Sequence, residues 1–386
     1  MKVKLIDICD FQGGSQPPKD EWKGNYINGY IRMLQIRDFT QKNKVIPEYV
    51  KISNSLKFCE ADDILIARYG ASVGKILTGL SGAYNVAIMK IIPDTTRLNK
   101  RYLKYFLESR SFQDFIKNVG SRAAQAGFNK SDLSSIFIEE RNMNEQNKII
   151  NILDKLTSLI ELKKNQLEKM NLFVKSLFIE MFNDPIKNNM NWEVKKLKDL
   201  CLKIGSGATP KGGQSVYIDK GTSFIRSMNV YNGYFKYNGL AHINENHAQQ
   251  LENVSLKEND ILLNITGASV ARSCIVPKNL LPARVNQHVA LIRVNKEKIN
   301  PIFLNHVFIT DSFQKYLLNI SASNGATRQA ITKQQIEELN IIVPSSKLVD
   351  LYVKKVQQID KSKLAIQQSL EQLETLKKSL MQEYFC

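Results

Sequence analysis

The chain repeats itself, and this internal repeat limits its possible folds more than any other feature of the sequence. Five pairs of matching segments follow one another in the same order and cover almost the whole chain. They are LIDICDFQGGSQP at Leu5 with LKDLCLKIGSGATP at Leu197, IRMLQIRDF at Ile31 with IRSMNVYNG at Ile225, DILIARYGASVGK at Asp63 with DILLNITGASVAR at Asp260, SRSFQDFIKN near Phe112 with TDSFQKYLLN near Phe313, and KSLFIEMF ending at Phe182 with KSLMQEYF ending at Phe385. The separation grows from 192 to 203 residues along the chain, which predicts two diverged copies with small loop insertions.

Each copy begins with a segment that mixes short β-type runs, as at 64–67 and 86–92, with amphipathic helical patterns, as at 102–118. Glycine-rich turns separate these elements, so we predict an α/β or α+β domain in each copy. The predicted organisation is a first globular domain at 1–143, a helix at 144–183, a second globular domain at 184–345 and a C-terminal helix at 346–386.

The second part of each copy has apolar residues at alternating spacings of four and three, interrupted by Lys163, Lys363 and Lys377. This rhythm predicts a coiled-coil seam. The alternative is an amphipathic helix packed on its own domain. The predicted seam residues are Ile149, Leu153, Leu156, Ile160, Leu167, Met170, Val174, Leu177 and Met181 in the first helix, and Tyr352, Val356, Ile359, Ile366, Leu370, Leu373, Leu380 and Tyr384 in the second.

The two seams are in phase, because their offset of 203 residues is a whole number of heptads. The first helix leaves the first domain and reaches the second, so a second helix that pairs with it runs back in the antiparallel direction. The seam at 149–181 spans roughly 50 Å at about 1.5 Å per residue. We therefore expect two similar domains joined by an antiparallel helix pair and related by a pseudo-two-fold axis.

The charge balance favours a polyanionic partner. There are 54 Lys and Arg against 37 Asp and Glu, which gives a net charge of +17 and a pI near 9.5. Double-stranded DNA is the first candidate, and a merely solvated basic surface is the alternative. The first residues, MKVKLIDICDF, contain no apolar run of a signal peptide, and no membrane-length apolar stretch follows. We therefore expect a cytoplasmic protein.

The cysteines and histidines predict neither a disulfide framework nor a metal site. Five cysteines stand apart with no Cys-x-x-Cys pair, as expected for reduced thiols. His242 and His247 are the closest histidines, but no cysteine or carboxylate cluster joins them in a ligand pattern.

The segment GASVGK at Gly70 resembles a phosphate-binding loop in its glycines and its Gly-Lys pair, but its spacing differs from that of the motif. Only three residues separate Gly70 from Gly74, and Ile76 follows Lys75 where Ser or Thr would bind magnesium. The second copy keeps Gly-Ala-Ser-Val and lacks the Gly-Lys pair. We therefore interpret the segment as a tight turn that is present once per domain.

Polar residues on the shared loops are the predicted DNA contacts. Arginine can clamp phosphate or read guanine, and the amides of Gln and Asn can read adenine. The alternative for each residue is an ordinary surface role. The candidates are Arg32, Gln35 and Arg37 with Arg226 and Asn229; Arg68, Tyr69, Ser72 and Lys75 with Thr266, Ser269 and Arg272; and Arg122 and Gln125 with Thr327, Arg328 and Gln329. In this alignment Arg32 pairs with Arg226 and Gln35 with Asn229.

The order of domain, helix, domain and helix, together with the opening IGSGATP, resembles the specificity subunit of type I restriction–modification systems. The resemblance covers essentially the whole chain. It implies a non-catalytic reader in which each target-recognition domain reads one half of a split, asymmetric DNA site. It also implies that the helical spacer sets the unread gap and docks two adenine-N6 methyltransferase subunits, and that a translocating nuclease subunit completes the complex.

The resemblance places further DNA contacts on the opening loops, at Thr209 and Lys211 in the second copy and at Ser15 and Gln16 in the first. The first copy departs from the family pattern, because FQGGSQPP replaces the GSGATP form. For the partner subunits, the resemblance implies S-adenosylmethionine, ATP and magnesium as cofactors, and none for this chain.

The residues themselves agree that catalysis belongs to partners. Asn183-Asp184-Pro185-Ile186 lacks the second proline and the aromatic ring of an adenine methyltransferase motif, and Gly205-Ser206-Gly207 is a lone Gly-x-Gly. Two rival functions stay open: a stand-alone nucleotide hydrolase or methyltransferase, and a coiled-coil scaffold that binds only proteins. The candidates for methyltransferase docking are apolar helix residues off the seam, namely Ile150, Ile152, Leu159, Phe173 and Phe178, some of which could instead be domain core.

Overall fold

Two units make up the structure, a computed structural model that describes residues 1–41, 44–120, 127–322 and 329–386. Unit 1 contains Met1–Asn165 and Ile366–Cys386, and unit 2 contains Gln166–Ala365. Each unit therefore contains one globular domain and parts of both long helices.

The elements alternate between short strands and helices until each long helix begins. The strands are β1 (Lys2–Lys4), β2 (Cys9–Gly13), β3 (Tyr30–Leu34), β4 (Tyr49–Lys51), β5 (Phe58–Cys59), β6 (Ile64–Ala67), β7 (Ile76–Leu77), β8 (Gly82–Tyr84), β9 (Ile88–Pro93), β10 (Phe137–Glu139), β11 (Glu193–Lys196), β12 (Cys201–Ser206), β13 (Thr222–Ile225), β14 (Val230–Tyr231), β15 (Tyr234–Phe235), β16 (Ala241–Ile243), β17 (Ile261–Asn264), β18 (Ser273–Ile275), β19 (Ala283–Val285), β20 (Val289–Val294) and β21 (Asn340–Val343). The α-helices are α1 (Ile36–Thr40), α2 (Lys100–Glu108), α3 (Arg110–Gly120), α4 (Met143–Phe182), α5 (Leu197–Leu200), α6 (Glu245–Gln250), α7 (Pro301–Ile309), α8 (Asp311–Ala322), α9 (Lys333–Glu337) and α10 (Ser346–Phe385).

The domain of unit 1 is built on two small sheets. One is antiparallel with strand order β2-β9-β6-β7, and its central strand β6 is buried along its whole length. The other has the order β4-β3-β8-β5, with β3 and β8 parallel. The apolar run ILIA in β6 is explained by this position, because a strand covered on both faces has no polar side.

The domain of unit 2 repeats this topology, except that its second sheet, within the described residues, has three strands and no counterpart of β5. Its antiparallel sheet has the order β12-β20-β17-β18, and β16-β13-β19 contains the parallel pair β13 and β19. Strand β11 pairs with β21 as β1 pairs with β10. Unit 2 has in addition the hairpin of β14 and β15. The matching strand orders show that the two halves of the chain are copies of one domain.

Side-chain contacts repeat as well as strands. The Nε2 of Gln113 donates to the carbonyl of Gly74 at 2.9 Å, and the Nε2 of Gln314 donates to that of Ala271 at 2.7 Å. Each glutamine also donates to a carbonyl of the preceding helix at 2.7 Å. The bonds to Gly74 and Ala271 tie α3 and α8 to the turns after β6 and β17, so this turn has the same support in both units.

Residues typical of helix boundaries mark the end of α4 and the start of α10. Helix α4 stops at Phe182, and Asn183 adopts a left-handed φ of +61°, which is typical of the residue after a helix. Helix α10 begins two residues after Pro344, which cannot donate to a preceding turn.

The ends of both helices belong to the domain cores. In unit 1 the Phe385 ring at the end of α10 lies 5.1 Å from the Tyr102 ring of α2, in a cluster with Ile149 and Leu153 of α4. In unit 2 the Phe182 ring at the end of α4 lies 4.9 Å from the Phe303 ring of α7. The fold class predicted from the sequence, two similar α/β domains alternating with two long helices, is confirmed.

Candidate nucleic-acid interface

The opening loops, which begin at Gly14 in unit 1 and at Gly207 in unit 2, are held tightly by backbone contacts. The amide of Gly14 donates to Ile88 and the amide of Gly207 donates to Val289, both at 3.1 Å. A Cβ on Gly14 would lie 2.1 Å from the Asn85 carbonyl oxygen, and one on Gly207 would lie 1.9 Å from a carbonyl oxygen at the end of β19. Only glycine fits here, so each opening loop is fixed against the turn between β8 and β9 or between β19 and β20.

That turn carries an asparagine in both units, and we call it the asparagine turn (Asn85 in unit 1, 286–288 in unit 2). The Asn85 amide donates to the Leu34 carbonyl at 3.1 Å, and the Asn286 amide donates to the Ile225 carbonyl at 3.0 Å. Each asparagine turn therefore lies beside the end of the parallel strand β3 or β13, where the loops with the predicted arginines begin.

The GAS turns, Gly70–Ser72 and Gly267–Ser269, form a single 3-10 turn with a positive φ at the glycine. A strand follows each turn after a few residues, β7 or β18. A phosphate-binding loop instead leads into a helix whose N-terminal amides face the phosphate. The geometry of this segment differs from that of a nucleotide site.

The GAS turns, or the residues just before them, contact the last residues of the loops predicted to contain Arg122 and Gln125 in unit 1 and Thr327, Arg328 and Gln329 in unit 2. In unit 1 the Phe128 amide donates to the Arg68 carbonyl at 3.3 Å, and Tyr69 forms a β-bridge with Gly127. In unit 2 the Gly267 amide donates to the Gln329 carbonyl at 3.0 Å. Segments that are distant in sequence therefore lie side by side in each domain. Arg122, Gln125, Thr327 and Arg328 lie outside the described residues, and their predicted DNA contacts stay predictions.

Side-chain bonds join these loops in unit 2. The Thr209 hydroxyl of the opening loop donates to the Gln287 side chain of the asparagine turn. The Thr266 Oγ1 lies 2.6 Å from the Nδ1 of His288. The Nδ2 of Asn264 donates to the Ser269 Oγ at 3.1 Å and to the Ser227 carbonyl at 2.9 Å. Asn264 is fully buried and holds the GAS turn to the loop after β13. The groups at the surface are the hydroxyls of Thr209 and Thr266, the amide of Gln287 and the imidazole of His288, which are groups that can read base edges.

The residues after β3 and β13 pair differently from the alignment made on the sequence. Gln35 caps α1 and takes part in a capping box with Asp38, whereas Arg226 takes the same position in a capping box with Asn229. Gln35 is therefore equivalent to Arg226, and the predicted pairing of Arg32 with Arg226 and of Gln35 with Asn229 is wrong by three residues. The strand ends fix this register through the asparagine turns, whereas the sequence alignment followed the shared Ile-Arg pair.

Asn229 is fully buried, and its amide bonds to backbone. Its Nδ2 donates to the Lys236 carbonyl at 2.9 Å, and its Oδ1 accepts from the Arg226 amide at 3.1 Å. It presents no group at the surface in this conformation, and we leave it out of the surface proposed below. The Arg226 guanidinium lies 5.3 Å from the Tyr217 ring and donates to the Gly239 carbonyl at 2.5 Å.

The equivalent region of unit 1 is an ion-pair network. Arg32 donates to the buried Asp38 at 2.7 Å, and Gln35 and Arg37 both donate to Glu48. Burial raises the pKa of the Glu48 carboxyl. The hydrogen bonds from Lys19 and Gln35, together with the charges of Lys19 and Arg37, lower it, and the net pKa lies below its usual value. In the free protein these three predicted contacts are therefore engaged within the domain.

The other candidates lie on the loops themselves. Gln16, Tyr69, Lys75, Lys211 and Gln329 are exposed. Among the partly buried candidates, the Arg68 guanidinium lies 5.0 Å from the Tyr69 ring, and that of Arg272 lies 4.5 Å from the Tyr231 ring in β14. Ser15 accepts from the Lys57 amide at 3.1 Å, and Ser72 lies in the GAS turn.

Sequence reasoning missed the asparagine turn, and with it Gln287 and His288. The signal was present in the sequence. The segment that joins β8 to β9 reads AYNVAIMK, and the segment that joins β19 to β20 reads ARVNQHVALIR. Asn85 and Asn286 therefore occupy the same position before equivalent strands.

The predicted seam residues of both helices are buried or half-buried. In unit 1 the Lys164 Nζ lies 2.7 Å from the Glu374 Oε1, and Ile149 near the start of α4 shares a cluster with Phe385 at the end of α10. Within this unit the two helix segments therefore run antiparallel. Lys377 interrupts the seam near the Tyr105 ring, at 5.7 Å, and burial lowers the pKa of its ammonium group.

Two of the five methyltransferase-docking candidates are core residues of the domains, which is the alternative that the sequence left open. Ile150 is 4% exposed and Phe178 is 2% exposed, because each helix packs on its domain with a face wider than the heptad seam. Ile152, Leu159 and Phe173 are each more than 40% exposed.

Within the described ranges, His, Cys, Asp and Glu form no group of three that could bind a metal ion. The described helices include none with the length and apolarity to cross a membrane.

Comparison with known proteins gives a consistent result. The family model for the type I restriction modification DNA specificity domain matches residues 1–172 and 189–375. The MjaVIII type I restriction enzyme specificity subunit of Methanocaldococcus jannaschii is 23% identical over 397 aligned residues, which cover 98% of this chain and 90% of the relative.

Two solved structures share the fold. The crystal structure of the type I restriction–modification system S subunit from M. genitalium has a TM-score of 0.58 at 14% identity, and the match covers all of this chain and 96% of that one. A chain from work on complex assembly and conformational transition of the type I system has a TM-score of 0.55 at 16% identity, with coverage of 100% and 97%.

Proposed function

This chain belongs to the family of type I restriction–modification DNA specificity subunits, and we propose that each of its two domains reads one half of a split DNA site. The observation that carries the proposal is the meeting of three distant loops in each domain. The opening loop contacts the asparagine turn in both units, and the segment that leads into the GAS turn bonds to the same turn. In unit 1 the Arg68 amide donates to the Ala87 carbonyl at 2.8 Å, and in unit 2 the Ile265 amide donates to the His288 carbonyl at 3.0 Å. The contacts of Thr209 with Gln287 and of Thr266 with His288 add side-chain bonds in unit 2. Such a surface positions several base-reading groups at once.

The two surfaces differ in chemistry, which supports an asymmetric target. The surface of unit 2 presents Thr209, Thr266, Gln287 and His288, whereas that of unit 1 presents Ser15, Gln16, Arg68 and Tyr69. Arginine favours guanine and phosphate, whereas amide and hydroxyl groups favour adenine or accept several bases. The two half-sites therefore have different sequences.

The net charge of +17 supplies the sequence-independent attraction to DNA. In this proposal Lys75, Lys211 and Arg272 contact phosphates and set the position of each domain on the duplex.

The helices α4 and α10 hold the two domains and set the length of the unread gap between half-sites. They also dock two adenine-N6 methyltransferase subunits, and the complete complex adds a translocating nuclease subunit. Catalysis belongs to those partners, which bring S-adenosylmethionine, ATP and magnesium. The chain itself is a non-catalytic reader.

Selection from a random DNA library tests this function against the protein-binding scaffold. The chain, in complex with the methyltransferase encoded beside it, is incubated with random duplexes, and the retained molecules are sequenced. The proposal predicts two specified blocks at a constant separation, with an affinity that falls steeply as salt increases. A complex that forms normally but retains no preferred sequence would support the scaffold.

A further inference from the structure

An apolar pocket of about 180 Å³ lies in unit 2, where α4, α7, α8 and α10 meet. Its apolar lining comes mainly from Val174, Phe178 and Ile179 on α4, with His306 and Ile309 on α7 and Tyr352 on α10. Engineered apolar cavities of about 150 Å³ bind benzene, so this space is large enough for one ring or one branched aliphatic group.

The polar groups around this pocket are already paired. The His306 Nδ1 lies 2.5 Å from the Tyr352 hydroxyl, and Thr310 donates to a backbone carbonyl at 2.8 Å. Lys175 and Asp311 form an ion pair at 3.2 Å. An occupant therefore gains mainly by burying apolar surface.

The equivalent position in unit 1 is charged. The repeat offset of 203 residues places Lys377 where Val174 lies and Gln382 where Ile179 lies. The pocket there is also lined by Lys164 and Glu374, which form an ion pair. An apolar group in this pocket would remove water from these charged side chains, which costs free energy. The two equivalent pockets therefore select different occupants.

Exposed apolar residues of α4 extend from the mouth of the apolar pocket. Ile179 lines the pocket and is 46% exposed, and Leu172, seven residues earlier on the same face, is 56% exposed. A pocket beside exposed apolar side chains is typical of a protein partner that inserts one anchor residue. A free small molecule would fill the pocket and leave Leu172 uncovered.

We propose that this pocket seats one apolar side chain, aromatic or branched aliphatic, of a methyltransferase subunit, and that the charged pocket of unit 1 does not. The inference rests on the proposed function, which places two methyltransferases on the helices. It adds that the two docking positions are chemically unequal, with an apolar anchor at unit 2 alone.

The test measures methyltransferase binding to the full-length chain by titration and native mass spectrometry. Ile179→Asp places a charge at the mouth of the pocket on an exposed position, and Val174→Phe fills the pocket from within. Gln382→Asp is the matched control, because it introduces the same charge at the equivalent position of unit 1. Loss of an interface anchor weakens binding by about tenfold or more.

We expect Ile179→Asp and Val174→Phe each to weaken one of two binding events by that factor, and Gln382→Asp to leave both within about threefold of wild type. Two unchanged binding events in Ile179→Asp would overturn the inference and leave the proposed function standing. A wild-type chain that binds no methyltransferase would instead overturn the proposed function.

A second measurement tests the pocket itself, using fluorobenzene and 19F NMR on the full-length chain. Saturable binding that Val174→Phe abolishes supports an apolar seat, whereas no binding to the wild-type chain overturns it.

Discussion

The Oγ1 of Thr266 lies 2.6 Å from the Nδ1 of His288, and this contact joins the residue that precedes the GAS turn of unit 2 to the asparagine turn. His288 is further held by its backbone amide, which donates to the Asn286 Oδ1 at 3.1 Å. Because the threonine hydroxyl can donate or accept, the contact fits either tautomer of the imidazole and fixes the orientation of the ring. We infer that the contact holds the His288 ring in one orientation for contact with a DNA base.

His288→Ala should therefore relax base preference in one half-site only. We expect a loss of about 1–3 kcal/mol in binding to the preferred sequence, with the other half-site read as before. Library selection on the variant complex measures both halves in one experiment, so the unit 1 half-site is its own control. A uniform loss across all sequences would instead make His288 a phosphate contact.

Gly207→Ala should destabilise unit 2, because the new Cβ would lie 1.9 Å from the Val285 carbonyl oxygen. Alanine in a backbone environment that excludes it costs more than about 1 kcal/mol. Gly205→Ala is the control, since no atom lies within 4 Å of its Cβ position. Urea unfolding followed by Trp192 fluorescence, in a Trp22→Phe background, reports unit 2 alone. Equal stability of the two alanine variants would contradict the close approach.

The sequence predicted the duplicated domains and the GAS turns from short segments that recur in the same order, and it predicted both long helices from their heptad spacing. It failed where the alignment of identical residues differs from the alignment of the strands in the structure. The shared Ile-Arg pair aligned Arg32 with Arg226, although the strand ends make Gln35 the equivalent of Arg226.

The helix faces show a second limit. A heptad pattern predicts which side chains meet along a seam, but it contains no information on where a domain packs against the helix. Ile150 and Phe178 lie off the seam and are nevertheless core residues. Asn85 and Asn286 were missed because one repeated residue is a weak signal in the sequence. Their position beside the opening loop is set by the sheets and is visible only in the structure.

Unit 2 should lose stability in mild acid through His306. Burial lowers the pKa of its imidazole from 6.5 to about 4, while Asp360 raises it and Lys363 lowers it further by smaller amounts. Because the folded-state pKa is lower than that of the unfolded chain, the unfolded chain takes up the proton first as the pH falls. The contribution of the neutral imidazole is therefore complete above pH 6.5 and is lost as the pH falls towards 4.

At pH 5 this loss amounts to about 2 kcal/mol, from about 1.4 kcal/mol per pKa unit. Urea unfolding at pH 7.5 and pH 5, again followed by Trp192, should show a larger decrease for wild type than for His306→Gln, which cannot titrate. The same decrease in both proteins would contradict a buried neutral imidazole.

Lys75→Ala should weaken DNA binding by the same factor for every DNA sequence. It should not change ATP hydrolysis by the isolated chain. Removal of one phosphate contact reduces the dependence of log affinity on log salt by about one. Affinity measured over a salt series on preferred and random duplexes gives this slope. ATP hydrolysis by the isolated chain, abolished in the variant, would restore the nucleotide-site interpretation of GASVGK.

Mapping of methylated adenines tests the central claim most directly. The chain, in complex with the methyltransferase encoded beside it, is incubated with unmethylated genomic DNA and S-adenosylmethionine, and N6-methyladenine is located by long-read sequencing. Two domains with different reading surfaces on a fixed helical spacer predict one split motif, with two different specified halves and a constant gap. An active complex whose methylation follows a single uninterrupted motif, or no motif, would contradict this account.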